Sequence, residues 1–270
     1  MISSMFFSLF SQFGVGMMLC LFFISPRVIG NSFFKFASLT GAILLGVIIG
    51  FDFMFPSPLR EGHHLPVILL LVSAILTVLY NRTVDVNKFT SAYWLLIGAC
   101  ATGLLSIVVD SMVFNRLLAL GGWEHALLVV SHLAATAVLG SVMLTMIFGH
   151  WYLVIPGLSI THLERLTKVL MAAILLRIGT IAATFVVLQA KQAVSLPKLF
   201  SELMLDQWMF FWPRLIFGVV APIVLTAMIW NTLKLKHTQA ATGLLYLAVV
   251  ALMFGEFFSK FLLFTVRVAL

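Results

Sequence analysis

The residues of this chain able to do chemistry are those placed where charge is expensive. Asp110, His132, Arg177, Arg214 and Glu256 all fall inside long apolar runs. Ionisable groups there face the interior of a helix bundle and mark sites or pathways. Arg177 lies deepest and needs a carboxylate, a carbonyl or a cofactor acid group as partner. Glu256 and Lys260 stand four apart, a spacing at which they can neutralise each other along one helix face. Asp52, Arg214 and Lys260 lie near enough to span ends for their heads to reach the lipid headgroups.

Histidines add a second pattern. The run from Ala126 to Tyr152 carries His132 and His150, eighteen positions apart. At 100° per residue this is close to five turns, so both rings share a face, roughly 27 Å apart along the axis. Ser131, Ala135, Gly140 and Ser141 keep that face small, which lets neighbouring helices approach. This run is expected to be the central helix. His63, His64, His125, His162 and His237 sit at helix ends or loops and are expected to be solvated.

The chemistry such groups can do is limited. Quinone binding takes an apolar slot, a carboxylate or histidine to exchange protons, and an Arg or Tyr donor for the far carbonyl. Asp110, His132, Arg177, Arg214 and Glu256 could supply this if their spans pack together. Haem b needs two axial ligands on facing helices. His132 and His150 share one helix, which leaves His150 and His162 as candidates for haem or a second site. Cys-x-x-Cys-His, His-Glu-x-x-His, phosphate-loop and nucleophile-elbow motifs are absent from the sequence, so no catalytic residue or metal ligand is assigned.

The elements that must position these groups are helices in a membrane. With 62% hydrophobic and 9% charged residues and a mean hydropathy of +1.16, the chain is no soluble globule, since soluble domains carry about 25% charge. The apolar runs are apolar all round, which excludes transmembrane strands. The expectation is an all-α, polytopic single domain over residues 1–270 with about eight spans. Their approximate ranges are 5–25, 33–55, 65–80, 91–114, 126–152, 163–190, 209–233 and 239–266. The first run lacks a basic leader and is read as a span, not a cleaved signal. Gly46 and Gly50 suggest a small-residue packing face. Thr161 and Glu164 suggest a capping box for the sixth span, and Thr238 a cap for the eighth. Pro222 suggests a kink in the seventh. Residues 191–208 suggest an interfacial amphipathic helix. Cys20 and Cys100 are expected as buried free thiols.

An even span count puts both termini on one side, here side A. The side A loops carry five basic residues (Arg60, Arg116, Lys191, Lys198, Arg267). Side B carries eight (Arg27, Lys35, Arg82, Lys88, Arg165, Lys168, Lys234, Lys236). The positive-inside rule then predicts side B cytoplasmic and both termini outside, in a bacterial inner membrane. The net charge of +7 is scattered over these loops, which points to anionic lipid as a partner and not to nucleic acid. By depth, Asp110, His132, Arg214 and Glu256 all belong to the side A half.

Three stretches resemble the eight-helix quinol-interacting anchor subunits of the NrfD, polysulfide reductase and dimethyl sulfoxide reductase type. They are Ser11-Gln12-Phe13-Gly14-Val15-Gly16 in the first span, Phe211-Trp212-Pro213-Arg214 in the seventh, and Ala240–Tyr246 through Gly255-Glu256 in the eighth. The resemblance implies eight spans with outside termini. It also implies a membrane subunit of a respiratory or photosynthetic electron-transfer complex, with quinone or quinol, less so haem b, and bound lipids between its helices. Other membrane and redox subunits would be its partners. Two further readings stay open. One is a small-solute or ion transporter using Arg177 and the Glu256–Lys260 pair. The other is a structural or assembly subunit.

Overall fold

The computed structural model describes residues 2–55, 64–85, 89–118, 121–155, 158–191 and 195–268. Eight of its helices are long and apolar enough to cross a membrane. They are α1 (Ile2–Cys20), α2 (Asn31–Met54), α3 (His64–Asp85), α4 (Phe89–Leu118), α5 (Gly122–Val154), α6 (Ile160–Ala190), α7 (Trp208–Lys234) and α8 (Thr238–Val266). The chain is an all-α bundle and, in class, a polytopic integral membrane protein.

The helix ends differ from the apolar runs where polar residues cap or tie them. Helix α5 begins four residues before Ala126 because the Glu124 carboxylate reaches back to accept from the Gly121 N–H at 2.6 Å. That satisfies an orphan donor and places negative charge at the positive end of the helix. Helix α3 continues past Tyr80 to Asp85. There the Asn81 amide donates to Lys35 O at 2.7 Å and to Ser38 Oγ at 2.9 Å, fastening α3 to α2. Two expected caps lie elsewhere. Ser159, not Thr161, caps α6 by accepting from the Thr161 N–H, and His237 occupies the cap position of α8 with Thr238 already helical.

Helix α7 is not regular. A π-turn spans Ile216–Val220, where the Ala221 N–H bonds to Ile216 O, five residues back. Pro222 follows at once and has no N–H to offer to Gly218 O, so the ladder widens by one residue before it resumes.

Two helices, not one, form the axis of the bundle. In their most apolar windows α1 is 72% buried and α5 67% buried, against 28% for α7. They cross where Gly16 faces Gly140 and the backbones touch. A methyl on either glycine would overlap the other helix. The expected face at Gly46 and Gly50 is not a packing face: a side chain at either would meet open space, and neighbouring Val47 is exposed. Other glycines do admit a neighbour, among them Gly14 against Leu45, Gly41 against Met17 and Met18, and Gly103 against Val15.

Around this axis the side B half is mainly apolar and carries no buried charged residue among the described residues. Phe33, Phe34, Phe148, Leu163, Leu166 and both cysteines are buried there, with Phe33 and Phe148 edge to face at 5.2 Å. On side A, the segment between α6 and α7 forms a short helix (Leu196–Ser201) and a π-turn (Glu202–Asp206). It buries Leu199 and Leu203 against Leu188 and Leu262 while Phe200 and Leu205 stay exposed, as an interfacial element should.

Candidate functional site

The side A half holds a buried ionic cluster built by five helices. Arg177 of α6 meets Glu256 of α8 in a bidentate pair, Nε to Oε1 at 2.8 Å and Nη2 to Oε2 at 3.0 Å. The fork geometry matches the planar carboxylate and is the strong form of this contact. Three hydroxyls complete the guanidinium: Nη1 donates to Ser131 Oγ of α5 at 2.7 Å and to Thr180 Oγ1 of α6 at 3.5 Å, and Nη2 to Ser259 Oγ of α8 at 3.0 Å. Arg214 of α7 adds a second cation to Glu256, Nη1 to Oε1 at 3.3 Å. Lys260, one turn along α8, donates to Gln12 Oε1 of α1 at 2.8 Å.

These groups are sealed from the surroundings. Arg177, Arg214 and Lys260 are 2–3% exposed and Glu256 is fully buried. Glu256 lies ten residues from the end of α8, about 15 Å along the axis. An isolated ion at that depth would be costly, so each one here is held by a partner on another helix.

The expected residues come together in part. Arg177, Arg214 and Glu256 touch. His132 of α5 shares with Arg177, Lys260, Ser131 and Ser259 the wall of a cavity of about 10 Å³, and packs edge-on against Phe114 at 5.7 Å. Asp110 of α4 is buried and within electrostatic reach of Lys260. His150 and His162 stand apart from the cluster: His150 is exposed near the end of α5, and His162 lies in the first turn of α6, edge-on to Phe148. His63 falls outside the described residues. Two readings are corrected. Glu256 takes its hydrogen bonds from Arg177 and Arg214 across the bundle, while Lys260 four residues away acts on it through space and bonds to Gln12 instead. Arg214 and Lys260 do not reach the headgroups; both point into the interior.

Sequence reasoning missed Gln12 and the ligand role of Ser131 and Ser259. A glutamine midway along an apolar helix was the available signal for the first. The serines had none, since small polar residues also serve packing.

Architecture near Arg214 explains how two cations reach one carboxylate. Gly218, one turn beyond Arg214, lies against the guanidinium and against Gly255 of α8. The paired glycines bring α7 onto α8 beside Glu256, and the π-turn that contains Gly218 sets the rotation. Arg214 Nε and Nη2 remain buried without a partner among the described residues.

What the cluster can hold follows from its space. The cavity beside it has room for about one water molecule. A quinone ring does not fit there. A cleft of about 420 Å³ lies elsewhere, where the ends of α1 and α3 meet the start of α4, lined by Phe22, Phe34, Tyr80, Thr90 and Tyr93 among others. Tyr80 is 2% exposed, and its hydroxyl makes no hydrogen bond among the described residues. No group of three or more His, Cys, Asp or Glu able to hold a metal ion occurs among the described residues.

No protein family, curated protein or solved structure matches the chain. Of the likeness to NrfD-type anchors, the eight-helix layout is the part with structural support.

Proposed function

We propose that this protein binds and translocates a small ion or protons across the membrane, with the Arg177–Glu256–Arg214 cluster as its charge-handling centre. One observation carries the reading: ionisable groups from α4, α5, α6, α7 and α8 converge at one depth inside the bundle, around a space too small for an organic ring. Groups retained there at such cost mark ion pathways and proton relays. The π-turn that follows Arg214, with Pro222 just beyond it, supports it further, since interrupted helices line the binding sites of transporters.

The test is flux. Purified protein in proteoliposomes, without partners, is expected to dissipate an imposed ion or proton gradient, and Glu256→Gln to lower the rate at least tenfold while the protein stays folded. A wild-type rate equal to that of empty liposomes would refute the reading. Variants that lose assembly with neighbouring subunits instead would identify a structural subunit.

A second reading, a quinone-binding subunit of an electron-transfer complex, is favoured by the 420 Å³ cleft. Its size suits a quinone head, and Tyr80 offers a hydroxyl donor to a carbonyl oxygen. Redox partner subunits would then supply and remove electrons. Mass spectrometry of extracted lipid tests it: quinone present in wild type and depleted in Tyr80→Trp supports it, and quinone absent from both refutes it. A pyridine haemochrome spectrum tests haem b at His150 or His162. For orientation, the excess of basic residues on side B supports a cytoplasmic side B in a bacterial inner membrane. A C-terminal tag accessible only from the cytoplasm would reverse it.

A further inference from the structure

Two buried donors in the cluster are unspent. Lys260 carries three N–H groups, and one meets Gln12 Oε1 at 2.8 Å. The others make no hydrogen bond among the described residues. Ser131 accepts from Arg177 at 2.7 Å, and its own O–H likewise meets no acceptor among them. Buried donors left unmet are costly. Both residues line the cavity of about 10 Å³ between α5, α6 and α8, together with His132 and Ser259.

That space fits one water and excludes anything that carries a hydration shell. The water oxygen can accept from Lys260 Nζ and Ser131 Oγ. Its hydrogens can go to Ser259 Oγ and to the acceptor nitrogen of a neutral His132 ring. Arg177 takes no part, because its N–H groups already meet Glu256, Ser131, Ser259 and Thr180. It also keeps its proton, so His132 and Lys260 are the two lining residues whose charge can change. Around them stand Asp110 of α4, Arg177 of α6, Arg214 of α7 and Glu256 of α8, with neutral Gln12 on α1. Glu256 is engaged by both arginines. Lys260 and His132 come from different helices and meet across the water.

We propose that this cavity holds one water that passes a proton between Lys260 and His132. The inference rests on the translocation reading and names its cargo as the proton. In the step, Lys260 Nζ gives a proton to the water oxygen as the water gives one of its own to the His132 nitrogen. One N–H and one O–H bond break, one of each forms, and the water is restored. The positive charge moves from α8 to α5 with no change of oxidation state, and the step runs in either direction. Ser131 is a positioning residue that holds the water in line.

The experiment uses full-length protein and two readouts. The first is flux in proteoliposomes, measured separately for protons, sodium, potassium and chloride. The second is infrared difference spectra between about pH 5 and 8, the range in which imidazoles change charge, recorded in ordinary and in ¹⁸O water. Proton flux is expected, lowered at least tenfold in His132→Gln and in Lys260→Arg. The arginine keeps the charge and the donors but does not give up its proton. The spectra are expected to show a water O–H band that changes with pH and shifts in ¹⁸O water, weaker in Ser131→Ala and absent in His132→Gln. A purely structural Lys260 would leave Lys260→Arg near the wild-type rate; that result, or a wild-type rate in His132→Gln, overturns the proposal. Should Lys260→Arg fail to fold, His132→Gln and the spectra still decide. Flux of another ion without protons, or proton flux with no such band in the wild type, would overturn the relay and spare translocation. No flux of any ion would refute both.

Discussion

The two halves of the bundle are held by different forces. Toward side B, Phe33, Phe34, Phe148 and Leu163 fill the interior with rings and branched chains, and their contacts are many and individually weak. Toward side A, a few directional contacts around Glu256 tie α5, α6, α7 and α8, and the Lys260–Gln12 bond ties α8 to α1. In a bilayer, apolar side chains gain little from leaving lipid for protein, so the side B half depends mainly on close fit, helped by neutral ties such as Asn81 to α2. The polar half gains because the unpaired alternative is so poor. It should therefore be the less tolerant of single changes and the more tolerant of matched ones.

The largest expected effect breaks that half outright. Glu256→Ala leaves two buried guanidinium groups facing each other. It should cost about 3–5 kcal/mol, seen as loss of folded protein in a denaturant or thermal titration in detergent. The sharper test is the pair Arg177→Met with Glu256→Leu, which removes charge of both signs. It should regain part of the loss of Glu256→Ala, whereas a cost equal to the sum of the single changes would show the cluster to be additive and the comparison wrong. Next, Gly140→Ala should cost about 1–3 kcal/mol through overpacking at the α1–α5 crossing. Smallest, Gly50→Ala should stay within about 0.5 kcal/mol, because a methyl there meets open space. Equal losses for the two glycine variants would mean that the crossing is not where α1 and α5 meet.

The same contrast explains what was legible in the sequence. The eight spans were, because unbroken apolar runs leave little choice of structure. That Asp110, His132, Arg214 and Glu256 share a depth was legible too, since position along a helix sets height in the membrane. Rotation about the helix axis was not. Glu256 and Lys260 are spaced to pair locally, yet the helices around α8 present Arg177 and Gln12, and nothing in the order of residues ranks a neighbour four positions away below one across the bundle. Gly46 and Gly50 show the same limit: the small-residue spacing is real, but the face it marks turns outward. The motif records that a close approach is feasible, and only the surrounding helices determine whether it is used.

The contact between Gly218 and Gly255 gives two residues without side chains control over a charge they do not carry. A carbon atom added at Gly218 would take the place of the Arg214 head, and one added at Gly255 would lever α7 away from α8. The second cation on Glu256 is thus a gauge of how closely two backbones approach. Any sliding or turning of α7 against α8 would change the electrical balance at the centre of the protein before any ionisable group had gained or lost a proton.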